Sequence, residues 1–373
     1  TSLPYRIPVT LQAASWDVDG PPVAVEVDFA DALAELGVSG SFAPDSLRVA
    51  IQDCSLGQPE VPSQFLDEVW GLFEKQDHAD PAGDSAGTVV FLYEEDLDTS
   101  TLEPLSGSAT VEIGLYFDTT GTSAAYATTL GATTSELSNA STTAIFDAGS
   151  GGLLESLVLD ASPTLTSQTT SCCGNGGYVN ATWYYTPMYT TGSLSVETSG
   201  PVMAMLETTG AIGGYDYTFT YWMFDGRPEL WVKAHHVTNT TVVFDHPNDF
   251  VYGVRPWESR QDAISSGATF TTDPSATWAD VSNGTWGLSF GYRQPPSYPD
   301  HISNYDPYII VVGADYAPSG SGSPFILPAG VHFIDHEVMV VHPHAGDFNA
   351  GQQSTLYGLM EGTTASLDDA EAL

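Results

Sequence analysis

Residues 215–239 read YDYTFTYWMFDGRPELWVKAHHVTN. Two long runs rich in aromatic and β-branched residues flank the polar stretch FDGRPE, residues 224–229. Alternation puts Tyr217, Phe219 and Tyr221 on one face of the first run. In the second run Trp231, Lys233 and His235 share one face, and Val232, Ala234 and His236 share the other. The stretch predicts two long strands joined by a turn that contains Arg227.

Outward from that pair, strand-like segments dominate. GGLLESLVLDA (151–161), GYVNATWYYTPMYT (177–190), GSLSVETSGPVMAMLETTG (192–210), GTWGLSFGYR (284–293), PYIIVVGADYA (307–317) and HFIDHEVMVVHPH (332–344) all carry the pattern of a large β-sandwich. DFNAGQQSTLYGLMEGT (347–363) is the one C-terminal segment that reads as a helix. Before residue 121, RIPVTLQAA, PPVAVEVDF, DSLRVAIQD, TVVFLYEED and SATVEIGLYFDTTG alternate as strands. Among them DFADALAELG (28–37) predicts a short helix, capped by Asp28, with Phe29, Leu33 and Leu36 on one face and Gly37 at its end. Residues 121–150 are rich in Ser, Thr, Ala and Gly and read as a linker or surface excursion. The expected fold is all-β. A small N-terminal antiparallel domain with one short helix covers 1–120, a linker covers 121–150, and a large sandwich covers 151–373.

Composition narrows the partners. Eight Lys and Arg stand against 47 Asp and Glu, a formal charge of −39. Phosphate backbones and anionic membrane surfaces need cations that such a chain lacks, so nucleic acid is excluded as a partner. No apolar run reaches the ~20 residues of a membrane helix. The acidic, Ser/Thr-rich surface suits high salt, low pH or divalent cations such as calcium. WDVDG (16–20) and the other Asp pairs lack the spacing of a dedicated calcium loop. A first residue Thr1 fits a product whose leader has been removed, or a trimmed chain. Sequons at Asn139, Asn180, Asn239 and Asn283 point to glycosylation and export, hence to an extracellular or cell-surface place. Cys54, Cys172 and Cys173 allow one bridge with a thiol left over, or free thiols, and do not fix the compartment.

Four of the nine histidines lie within residues 332–347, HFIDHEVMVVHPHAGD. His342 and His344 have the i, i+2 spacing of a β metal site, with Asp347 following. Pro343 between them ends the strand, so hydrogen-bonded imidazoles at a strand end are the competing reading. The Trp231, Lys233 and His235 face is of the kind a sugar-binding sandwich offers. Trp stacks on a sugar ring, and Lys or His supplies a base or a neutralising charge. Arg227 and Tyr217 join Trp231 as candidate substrate contacts, and Tyr221 joins Lys233 and His235 as a candidate catalytic group. The competing reading is an aromatic core with one solvated lysine. No G-x-S-x-G elbow, H-E-x-x-H motif or phosphate-binding glycine loop occurs.

Two stretches resemble a known family. VMVVHPHAGDFNAGQQSTLYGL (338–359) is similar to the closing strand and turn of the large β-sandwich in family 38 alpha-mannosidases. SLSVETSGPVMAMLETTG with YTFTYWMFDGRPELWVKA is similar to another run of that sandwich, with related strands in exo-rhamnogalacturonan lyases. The N-terminal segments resemble the small β-domain that opens several such proteins. The resemblance covers about half the chain. It implies a galactose-mutarotase-like super-sandwich and a carbohydrate context. It carries over no catalytic residue, because the mannosidases hold zinc and nucleophile on a separate α/β domain and the lyases add a helical toroid. Neither is read in these residues.

Two functions follow as expectations. One is an extracellular protein that binds or processes polysaccharide on the sandwich face, with β-elimination on a uronate as the catalytic version. The other is a non-catalytic subunit of a surface layer or filament, assembled from its own copies, in which TSLPYRIPVTL (1–11) adds a strand to a neighbour.

Overall fold

The computed structural model describes residues 3–12, 21–51, 60–67, 69–71, 74–76, 85–93, 110–122, 124–159, 176–179, 182–185, 191–212, 214–244, 250–254, 269–272, 278–282, 286–293, 300–306, 309–314, 325–327, 329–330, 332–343 and 363–373. They fall into two compact units. One comprises Thr1–Thr128, Gly200–Met203 and Gly351–Leu373, the other Thr129–Ser199 and Ala204–Ala350. The pairing is antiparallel throughout both, as the all-β expectation requires.

In the first unit, one sheet runs in the order Thr364–Leu367, Tyr5–Gln12, Thr110–Phe117, Arg48–Ile51, Glu60–Val61. A second runs Pro22–Asp28, Ala86–Leu92, Ser63–Leu66. Alternation explains how they meet. Ile7, Val9 and Leu11 of the first sheet and Val23, Val25 and Val27 of the second are buried in one cluster with Ile113, Leu115 and Phe117. The expected helix forms over Phe29–Glu35, and the Asp28 carboxylate accepts from the Ala30 and Asp31 amides. Phe29 and Leu33 are buried, and Phe29 stacks on Phe42 at 3.9 Å. It is the single α-helix among the described residues.

The end of the chain departs from the expected boundaries. Thr364–Leu367 and Glu371–Ala372 pair with Tyr5–Gln12, along the edge that Thr110–Phe117 leaves open. Arg6 pairs with Glu371, and the Leu373 amide donates to the Pro4 carbonyl at 2.9 Å. The final strands thus belong to the N-terminal sheet and not to the second domain. The first strand has both edges occupied, so the strand-donating role expected of residues 1–11 has no free edge to use. Residues 200–203 also belong to this unit: Gln64 Oε1 accepts from the Val202 and Met203 amides at 3.3 and 2.9 Å. A Cβ on Gly200 would collide with the Gln64 amide, which explains glycine at that point of SGPVM.

In the second unit the segment expected to be a linker carries three strands, Gly131–Thr133, Glu136–Ser138 and Thr142–Asp147, which with Leu153–Leu159 make a four-stranded sheet. The residues buried along Thr142–Asp147 are Thr142, Ala144 and Phe146. Two of these three are small or polar, so the hydrophobic alternation that marks a strand is faint. An eight-stranded sheet follows, in the order Ser193–Ser199, Met203–Ile212, Tyr215–Phe224, Glu229–Thr238, His332–Pro343, Trp286–Arg293, Trp278–Ser282, Thr269–Thr272. After Thr238 the chain re-enters this sheet at its far edge with Thr269–Thr272, Trp278–Ser282 and Trp286–Arg293, and His332–Pro343 then pairs between Glu229–Thr238 and Trp286–Arg293. A seven-stranded sheet completes the unit. Residues 344–362, where the C-terminal helix was expected, and the three cysteines lie outside the described residues, as does WDVDG. No helix among the described residues is long and apolar enough to cross a membrane.

A phenol in the first unit gives a pH signature. The Tyr126 hydroxyl donates to Glu60 Oε1 at 2.6 Å, and Arg48 Nε lies 3.0 Å from the same oxygen. Burial, reinforced by the bond to Glu60, pushes the Tyr126 pKa up from 10.0 to about 12. The folded state therefore holds this proton more tightly than the unfolded chain. The contribution is fully present below pH 10.0 and is lost as pH rises through about 12. Melting temperature measured against pH will fall more steeply over that window in the native chain than in Tyr126→Phe. Superimposable alkaline profiles would contradict the arrangement.

Candidate functional site

The site is built on the hairpin of Tyr215–Phe224 and Glu229–Thr238. Its register pairs Trp222 with Trp231, Thr220 with Lys233, Thr218 with His235, Tyr221 with Val232 and Tyr217 with His236. Directly opposed residues share a face. Lys233 and His235 therefore lie with Thr220 and Thr218, and Tyr217, Phe219 and Tyr221 lie on the reverse of the sheet.

That reverse face is core. Tyr217, Phe219 and Tyr221 are buried, and Tyr221 meets Phe146 of the four-stranded sheet at 4.5 Å between ring centroids. The Tyr217 hydroxyl donates to the Gly151 carbonyl at 3.3 Å. The sequence grouped these three tyrosine and phenylalanine positions correctly but joined them to the wrong side. Neither Tyr217 nor Tyr221 shares a surface with Lys233.

On the Lys233 face, Trp231 and Trp222 stack at 6.2 Å and Phe224 meets Trp231 edge-on at 6.0 Å. Trp231 is 0% exposed, so its ring is occupied by protein and does not present a stacking surface for a sugar. Arg227 is held by Glu229: Nε donates to Oε2 at 2.9 Å and Nη2 to Oε1 at 2.7 Å, with Glu229 buried. Lys233 and His235 are only half-buried. Of the six candidate substrate and catalytic residues, these two remain together at a partly accessible surface.

The turn that fixes this register is gripped by the first sequon. Asn139 Nδ2 donates to the Phe224 and Arg227 carbonyls at 2.7 and 2.6 Å, while its Oδ1 accepts from the Ser141 and Thr142 amides at 2.8 and 2.9 Å. Ser141 Oγ donates to the Gly226 carbonyl and Thr142 Oγ1 to the Pro228 carbonyl, each at 3.1 Å. Asp225 accepts from the Thr129 amide at 3.0 Å. Gly226 has φ of 68°, which a turn this tight takes most readily from glycine. Both amide protons of Asn139 are in use, and a glycan would have to replace one of them. Asn139 is thus a clamp on the turn. Asn239 is exposed, with one bond from Nδ2 to Asp216 Oδ1 at 3.0 Å. Asn180 and Asn283 lie outside the described residues.

The neighbouring strands extend the face. Glu229–Thr238 pairs with His332–Pro343, which places His336 opposite Lys233 and Ile334 opposite His235. Trp286–Arg293 then places Arg293 opposite His336 and Gly287 opposite His342. The strand ends at Pro343 as expected, and His344 and Asp347 lie outside the described residues. Among the described residues no three His, Cys, Asp or Glu side chains gather as metal ligands. Strand order is not written in local periodicity, so the sequence does not show that positions 336 and 293 fall in the row of Lys233.

The class these units define is an all-β sandwich. No family model and no curated protein matches the chain. Solved structures do. An alpha-mannosidase from Enterococcus faecalis V583 is similar with a TM-score of 0.55 and 13% identity, over 97% of this chain and 46% of its own. A protein in glycosyl hydrolase family 38, also from Enterococcus faecalis, gives a TM-score of 0.53 and 12% identity, over 97% and 47%. A galactose mutarotase-like protein from Lactobacillus casei ATCC 334 matches 56% of this chain at 12% identity, but its TM-score of 0.33 is too low to carry an argument. This chain spans about half the length of the first two. At such identities the likeness is one of fold. It agrees with the resemblance seen in the sequence and extends it to nearly the whole chain.

Replacing Asn139 by Ala strands two carbonyls and two amides at once. Unfolding free energy should drop by about 2–4 kcal/mol. Peptide mapping after expression in a glycosylating host should find Asn139 unmodified. A glycan there, or an unchanged stability in Asn139→Ala, would refute the clamp.

Proposed function

We propose that the chain associates with carbohydrate through the Lys233 and His235 face of its eight-stranded sheet. The observation that carries the reading is that these two side chains stay half-buried where the flanking Trp231, Trp222 and Thr220 are buried. A cation and an imidazole on a rigid sheet are groups that bind and orient hydroxyls or a carboxylate. The fold likeness to chains named as alpha-mannosidase and glycosyl hydrolase supports the same substrate class. If binding is coupled to turnover by β-elimination, Lys233 neutralises the carboxylate and His235 takes the proton, since Tyr221 is on the other face. Export to the cell exterior belongs to this reading, with Asn239 as the exposed sequon. The alternative is a non-catalytic subunit of a surface layer or filament; in that reading the first strand, paired on both edges, is not the segment that adds to a neighbour.

Affinity electrophoresis of the full chain in gels cast with neutral and acidic polysaccharides tests this. At least one polymer should retard the native chain, and Lys233→Ala with His235→Ala should abolish the retardation while circular dichroism stays native. No retardation by any polymer, or full retardation of the double variant, would overturn the proposal.

A further inference from the structure

Two of the four sequons lie among the described residues, and the fold treats them differently. Asn139 and Ser141 are half-buried, and both Asn139 amide protons go to the carbonyls of the hairpin turn. Asn239, Thr240 and Thr241 are all exposed. Among the described residues Asn239 Nδ2 makes one bond, to Asp216 Oδ1 at 3.0 Å, and Asp216 is itself exposed. That bond uses one of the two amide protons and leaves the other for a new C–N bond.

The backbone fixes where this side chain projects. The sequon begins where the strand Glu229–Thr238 ends. The Asn239 and Thr240 amides both donate to the Gly214 carbonyl, at 2.9 and 3.2 Å, and the Gly330 amide donates to the Thr238 carbonyl at 2.6 Å. Three turns therefore meet at this end of the sheet. Gly214 and Gly330 have φ of 114° and 84°, conformations that glycine supplies without strain. Ala329 and Gly330 are exposed, and a Cβ built on Gly330 would meet nothing within 4 Å, so the space beside the sequon is open. A bulky hydrophilic group attached to Nδ2 would extend into solvent and displace no packed residue described here.

We propose that Asn239 carries an N-linked oligosaccharide. Thr241 supplies the hydroxyl that the sequon requires two positions on, and Thr240 between them is not proline. Transfer joins Nδ2 to the anomeric carbon of an oligosaccharide donated from a polyprenyl pyrophosphate. The bond from that carbon to the phosphate oxygen breaks, the pyrophosphate leaves with the electron pair, and Nδ2 gives up one proton. The proposal rests on the export that belongs to the carbohydrate reading. It also borders the proposed binding face, because Asp216 pairs with Val237 on the Lys233 side of the sheet. Asn239 is four positions beyond His235, about 13 Å along an extended strand.

The test is peptide mapping of the full chain recovered from the organism that makes it, before and after an amidase that releases N-linked oligosaccharide and leaves aspartate behind. The peptide containing Asn239 should lose the mass of one oligosaccharide and show aspartate at that position. Thr241→Ala, which keeps Asn239 and its bond to Asp216, should abolish the modification, and Thr241→Ser should retain it. Asn239→Gln should abolish it as well. An unmodified Asn239 in the folded chain would overturn the proposal, and so would full modification in Thr241→Ala. Affinity electrophoresis separates this outcome from the carbohydrate reading. Retardation of a chain whose Asn239 is found bare would sink the proposal and spare that reading. A modified Asn239 on a chain that no polysaccharide retards would remove the reading and keep the site.

Discussion

The grip of residues 139–142 on the turn between the two longest aromatic strands is the constraint on which the site depends. Four successive polar contacts, to the carbonyls of Phe224, Gly226, Arg227 and Pro228, leave that turn one conformation. The turn in turn sets the register of Trp222 against Trp231. Side chains alternate with period two, so a slip of one residue would exchange the two faces of the strand. With the observed register, Lys233 and His235 share a face with Thr220 and Thr218, and the tyrosines fill the core behind them. A polar segment that would pass for a linker therefore decides which groups meet at the surface.

On the same face the packing around the hairpin decides which groups are held and which are left partly accessible. Arg227 is consumed by Glu229 at the edge of the hairpin. Lys233 and Arg293 are separated by one strand that contributes His336. Beside Lys233, Trp222 and Trp231 stack on each other and are buried. The tryptophans act through packing and not as a platform for a ring.

Much of the fold was legible in the sequence, and the reasons are local. The helix at Phe29–Glu35 announced itself through Asp28, its spaced apolar residues and Gly37. The hairpin and the strand ending at Pro343 were each marked by alternation and turn residues. What stayed hidden was non-local. Nothing in ASLDDAEAL says that it will pair with a strand some 360 positions earlier, since such pairing depends on which edge is left open. The strands at 131–147 were masked by Thr142 and Ala144 in buried slots. The periodicity grouped Trp231 with Lys233 and Tyr217 with Tyr221. Only the register could show that these groups lie back to back, and only strand order could bring Arg293 beside them.

The central claim is that Lys233 lies in the bound saccharide's footprint. The chain has two lysines, Lys75 and Lys233, so amine acylation read by mass spectrometry compares the site with an internal reference. With a saturating oligosaccharide of a polymer that retards the chain, acylation of Lys233 should slow severalfold while Lys75 reacts at its original rate. Equal rates at Lys233 with and without the oligosaccharide, under conditions where binding is demonstrated, would contradict the account.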